Sequence, residues 1–139
     1  MRLYLTISLL LALVHTAWAD TTNRAKQFSP VPGIFVGGVG LECKSSPSDV
    51  VEFLLLTKDR QKVGLAVFEN DDVTYDFMMI TKTTPRTYIV KQQKIKFVLD
   101  RQSLKLTMEQ DYDCSVMSIS DLHNAAKDYL RTLLSENKI

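Results

Sequence analysis

Two cysteines, Cys43 and Cys114, bracket the strand-like part of this 139-residue chain, and any fold it adopts has to accommodate that pair. With no further Cys and only two His in the whole sequence, a structural metal site lacks ligands. Residues 1–19 decide how the pair is read. Arg2 is followed by an apolar run from Leu3 to Val14, broken only by Thr6 and Ser8, and then by Ala17-Trp18-Ala19, a small-x-small exit. These three parts match a cleavable secretory signal peptide, and the run is shorter than the about 20 residues that a membrane span requires. No Cys follows Ala19, so the usual bacterial lipid attachment is not expected. The chain is therefore expected to be secreted or periplasmic, with no membrane span after cleavage. In an exported chain an even cysteine count with nothing left over predicts one disulfide, Cys43–Cys114.

Cleavage at Ala19 changes the composition from which function is argued. Arg2 leaves, so 16 Lys plus Arg balance 16 Asp plus Glu, and the sole Trp and His15 leave as well. A neutral domain has no whole-molecule attraction to nucleic acid or to a charged membrane. Residues 20–40 carry Pro30, Pro32, Gly33, Gly37, Gly38 and Gly40 and read as an extended lead-in. Residues 41–139 read as one disulfide-closed domain, large enough for its own core. Gly37-Gly38-Val39-Gly40 lacks the Lys-Ser/Thr ending and following helix of a phosphate-binding loop, so a hinge or strand edge is expected there.

Strand signals dominate from Val50 onward. Between Val50 and Thr57 only Glu52 and Thr57 are polar, with Val51, Phe53 and Leu55 on one face and Val50, Leu54 and Leu56 on the other, as in a strand covered on both sides. Lys58-Asp59-Arg60-Gln61 predicts a hairpin turn into Lys62 to Glu69. After a turn at Glu69-Asn70-Asp71-Asp72, Val73, Tyr75, Phe77 and Met79 alternate with Thr74, Asp76 and Met78, a half-buried strand. Thr83 to Pro85 interrupts, and Thr87 to Lys91 resumes. Ile95, Phe97 and Leu99 then match Leu104, Leu106 and Met108 across a turn at Arg101-Gln102 or a looser one over Asp100 to Ser103. In that hairpin Leu99 meets Leu104, Phe97 meets Leu106, and Lys94 faces Glu109.

Beyond Cys114 the period changes to that of a helix: Ile119, Leu122, Ala126, Tyr129, Leu130, Leu133 and Leu134 form an apolar stripe, with Ser120 placed to cap it. The expected fold is mainly β: an antiparallel meander of about five to seven strands, a small barrel or sandwich, with a C-terminal amphipathic helix packed on it.

Catalytic chemistry is hard to assemble from these residues. Nucleophilic catalysis needs a base, and the one remaining histidine, His123, falls in the first helical turn, where a solvated or capping role is expected. The acids Asp71, Asp72 and Asp76 form a candidate acidic loop, with Glu109, Asp111 and Asp113 a second group; both fall where strands turn, and neither has EF-hand spacing. No metal and no cofactor is expected, and calcium at the acidic turn is the alternative weighed against solvated turn acids. Residues 82–105 hold Lys82, Arg86, Lys91, Lys94, Lys96, Arg101 and Lys105 against Asp100 alone. Lys91, Lys94, Lys96 and Lys105 are the candidate face for an anionic partner; stacked aromatics that would suit RNA are missing. The expected function is a non-enzymatic domain that binds a protein, as an inhibitor or interaction factor. Carriage of a small apolar ligand inside a barrel is the alternative, and a carboxylate-based hydrolase the third reading.

Overall fold

The computed structural model describes residues 31–137. The expected signal peptide and the first part of the lead-in lie outside them. Of the lead-in that is described, Gly33–Phe35 forms a 3-10 turn and Phe35 is fully buried. Nine strands follow: β1 (Val39–Ser45), β2 (Val51–Leu56), β3 (Lys62–Glu69), β4 (Asp72–Met79), β5 (Lys82–Thr83), β6 (Thr87–Gln92), β7 (Ile95–Asp100), β8 (Lys105–Thr107) and β9 (Asp111–Met117), and then the helix α1 (Ile119–Glu136). The count exceeds the expected number because β1, within the glycine-rich lead-in and its exit, the two-residue β5, and β9, which lacks an apolar alternation, are not among the strands expected from the sequence.

Every strand pairs antiparallel with its sequence neighbour, with one exception, and the last strand pairs with the first. The exception is the step from β4 to β5, which form opposite edges of the sheet although only Ile80 and Thr81 separate them. Three Cα steps span at most about 11 Å, so the edges must meet there and the sheet must curl into a half-barrel. Backbone bonds show the hand-over: Ile80 N–H still donates to Gln61 beside β3, whereas Thr81 N–H donates to Ile89 of β6.

Curling gives the sheet an inside and an outside, and each has its own core. Leu41, Leu54, Leu56, Val63, Met78, Tyr88, Val90, Phe97, Leu99, Leu106 and Tyr112 fill the inside. Outside, α1 lies over the first half of the sheet and buries Phe53, Leu55, Val73 and Tyr75 beneath Leu122, Ala126 and Leu130, with Phe35 in the same cluster. β2 serves both cores, as its two apolar faces predict. The Val73-Tyr75-Phe77-Met79 face is divided: α1 covers the first two, while Phe77 and Met79 are about half exposed and Met78, on the opposite face, is buried. α1 approaches closely enough that a Cβ on Gly40 would stand 2.6 Å from the Leu122 Cβ, and the 3-10 turn sits as close, a Cβ on Gly64 standing 2.7 Å from the Phe35 ring. Gly40 is therefore a contact site within β1.

Three local expectations are corrected. The cap of α1 is Ser118, whose hydroxyl accepts from Asp121 N–H at 3.1 Å, two residues earlier than Ser120. The β7–β8 register pairs Leu99 with Leu106, two residues away from the expected Phe97–Leu106 pair. An even slip keeps every inward residue inward. Its cause is the longer turn: Asp100 accepts from Gln102 and Ser103 N–H through its side chain and from Leu104 N–H through its carbonyl, with Leu104 at φ +59°. Lys94 consequently sits in the β6–β7 turn, not opposite Glu109.

The disulfide joins Cys43 to Cys114, which are direct partners on β1 and β9 with Cα atoms 3.9 Å apart. It clasps the first strand to the last in the middle of the sheet order. Closing a 71-residue separation restricts the unfolded chain enough to contribute about 4 kcal/mol on the loop-entropy account. The Cys43→Ser/Cys114→Ser variant is expected to lose about that much in urea unfolding. Gly40→Val is expected to cost about 1–3 kcal/mol by pushing α1 off the sheet, read as a lower urea midpoint.

Candidate functional site

The structure separates the basic residues of 82–105 into two sets. Arg86 and Arg101 hold the fold: Arg86 Nε donates to Asp100 at 2.9 Å, and Arg101 donates to the Thr84 carbonyl while its guanidinium lies 4.6 Å from the Tyr88 ring centroid. Together with the turn N–H groups, first among them Ser103 N–H, Arg86 keeps the Asp100 carboxyl well below the ordinary carboxylate range. Lys105, one of the four candidate lysines, faces Asp113 across β8–β9 and pairs with Asp111 at 3.7 Å. It belongs to a locally neutral patch.

Lys82, Lys91, Lys94 and Lys96 are different. The β6–β7 hairpin closes over Gln93-Lys94, with Gln93 at φ +52°, and its register sets Lys91 directly opposite Lys96. Tyr88, Val90, Phe97 and Leu99 point into the barrel, so Lys91 and Lys96 point out of it. Lys82 shares that outer face through its pairing with Ile89. All four lysines are exposed, and none is ion-paired among the described residues. Directly opposed residues have Cβ atoms about 5 Å apart, and like charges at that spacing are destabilising. The face carrying these lysines lies in the half of the sheet that α1 leaves uncovered. Lys82 falls outside the four candidates because β5 is too short to be read from sequence.

The candidate acidic loop is spread out. Asn70 and Asp71 both have positive φ and make the two-residue β3–β4 turn. Asp72 accepts its neighbour Val73 N–H at 2.8 Å, and Asp76 lies four residues on along the exposed edge. Among the described residues no group of three or more His, Cys, Asp or Glu side chains is placed to hold a metal ion.

His123 is corrected from solvated to buried, at 5% exposure, with Nδ1 2.8 Å from the Tyr75 hydroxyl. Burial pushes the Tyr75 phenol up to about 12, so it stays protonated at neutral pH. Burial, helped by Lys127 and opposed by Asp72, holds His123 below its usual value. The two rings form a sealed joint between β4 and α1. The Lys58–Gln61 turn is similarly fixed, Thr57 Oγ1 donating to Asp59 at 2.7 Å and accepting from Lys62 N–H. Beside it an open cleft of about 600 Å³ is lined by Ile34, Thr57, Lys58, Asp59 and Lys62.

No protein-family model, characterised protein or solved structure matches the chain. No helix among the described residues is long and apolar enough to cross a membrane.

Two buried titratable groups give opposite pH dependences. The unfolded chain protonates His123 near 6.5 and the native state resists, so its share of stability is present above that pH and is lost as pH falls through 6.5 toward the lowered native value. Glu52, half-buried and unpaired beside Cys43, is held above the usual 4.5 by desolvation. Its ionisation therefore removes stability as pH rises through the native value. Urea midpoints should show Glu52→Gln more stable than the parent at pH 7 and indistinguishable from it below about pH 4.

Proposed function

We propose that the chain is an exported, non-enzymatic binding domain, secreted or periplasmic, whose β6–β7 hairpin engages an acidic surface on a protein partner. The observation that carries this reading is the unpaired, directly opposed Lys91–Lys96 couple with Lys82 and Lys94 beside it. Opposed like charges cost about 0.2–1 kcal/mol in an antiparallel ladder. A carboxylate placed between them turns that cost into attraction. Protection of a sheet edge accounts for Lys82 on β5. It does not account for Lys96, whose strand has neighbours on both sides.

Other features support a binding role over turnover. His123 is closed off by Tyr75 under α1, both cysteines are consumed in the disulfide, and the acids of the β4 region diverge. Side chains filling the barrel interior weigh against carriage of a small apolar ligand, because small barrels hold a ligand only where those side chains leave room.

The reading predicts a separation of stability from binding. Lys96→Thr removes the like-charge couple and is expected to raise unfolding stability by about 0.2–1 kcal/mol. It should weaken capture of the partner from the fluid of the native compartment, as should Lys91→Glu, and capture by the parent should fall as salt rises. Capture that survives both substitutions and is indifferent to salt overturns the proposal.

A further inference from the structure

Among the described residues β4 is an eight-residue edge strand bonded on one side only, to β3. Backbone groups along a strand alternate in direction. Because Ile80 N–H donates toward β3 and Thr81 N–H toward β6, the odd-numbered residues of β4 turn their N–H and C=O groups away from β3. At Thr81 that outward side is taken up by β6. Toward the start of β4 no described strand lies beyond it, and Val73 N–H is covered by the Asp72 carboxylate. Tyr75, Phe77 and Met79 are left with outward backbone groups that no other described strand meets.

The side chains along this edge define what can join it. Residues 69–79 contain Glu69, Asp71, Asp72 and Asp76 and no Lys or Arg. Asp72, Thr74 and Asp76 are exposed on one face, and Phe77 and Met79 are about half exposed on the other. A second copy of the same edge meets like charge in two of the registers open to it. Antiparallel pairing centred on Asp76 sets that carboxylate against its own copy, and pairing centred on Thr74 sets Asp72 against Asp76. Like charges so placed repel, which is how natural edges resist self-association. A strand carrying Lys or Arg at alternate positions meets attraction at the same places.

We infer that the β4 edge accepts, by strand addition, an extended segment of a partner protein that alternates basic with apolar residues. The added strand bonds to the outward groups of Tyr75, Phe77 and Met79. Its basic residues lie over Asp72 and Asp76, and its apolar residues lie beside Phe77 and Met79. This site is separate from the lysine face, and it can fail or stand independently of that reading.

The probes are blocked peptides of about seven residues that alternate lysine with valine or glutamate with valine, and an N-methylated form of the lysine peptide that cannot donate backbone hydrogen bonds. They are titrated into the purified protein with amide NMR shifts and hydrogen exchange as readouts. The lysine peptide is expected to shift and protect the Tyr75, Phe77 and Met79 amides saturably, with neither of the others doing so. Asp72→Lys/Asp76→Lys, exposed positions whose folding circular dichroism checks, should bind it about 10-fold more weakly and prefer the glutamate peptide. Absence of binding, equal binding of the N-methylated or glutamate peptide, or shifts that map elsewhere overturns the inference. If the double variant does not fold, the N-methylated comparison on the parent protein decides.

Discussion

The antiparallel contact between β1 and β9 turns two local meanders into one sheet. β1 to β4 and β6 to β9 each need only short hairpins, but joining them brings together residues some 71 positions apart, and the Cys43–Cys114 bond lies at the centre of that join. The hand-over at Ile80 and Thr81 supplies the second constraint, since a chain that steps from one sheet edge to the other in two residues leaves the sheet no flat solution. Clasped in the middle and tied at its edges, the sheet encloses one core and offers the outer face of its first half to α1. The helix is thus a consequence of curling: Phe53, Leu55, Val73 and Tyr75 would otherwise face water.

How much of this the sequence discloses depends on the range of the interactions involved. The two-sided apolar pattern of β2 reports a strand between two cores, and the 3.6-residue stripe after Cys114 reports α1, because each is a repeated signal within one element. The disulfide is legible from the cysteine count, read together with the expected signal peptide. Register is different. Phe97 against Leu106 and Leu99 against Leu106 bury the same faces, and the choice rests on three hydrogen bonds accepted by Asp100 in the turn. His123 shows the same gap: its burial depends on Tyr75, 48 residues earlier, and no local pattern links the two. Of the candidate lysines, Lys91 and Lys96 lie opposite each other on one outer face. Removing Lys105 and adding Lys82 requires knowing that β8 lies against Asp113 and Asp111 and that β5 exists.

A formal net charge of only +1 conceals a polarised surface. Positive charge collects on Lys82, Lys91, Lys94 and Lys96, and negative charge collects along Glu69, Asp71, Asp72 and Asp76. Neither group neutralises the other through an ion pair among the described residues, whose bridges are local ones such as Glu42–Lys44 and Arg131–Asp128. With a Debye length near 8 Å at physiological ionic strength, charges on separate faces hardly sense each other. A net charge near zero supplies little long-range attraction to a polyanion and leaves short-range recognition to the two surfaces.

The way the molecule spends its arginines and lysines separates scaffold from surface. Arg86 and Arg101, with planar heads that hold several bonds at once, are committed to the Asp100 turn and to Tyr88, where they fix the end of the β6–β7 hairpin opposite its lysine-bearing tip. Lysine, a flexible point charge, occupies the tip and the outer rows. A hairpin rigid at its base and cationic at its end presents charge in a defined place without ordering its side chains in advance. The Lys91–Lys96 repulsion is then carried by a ladder that Val90, Phe97 and Leu99 anchor from the inside.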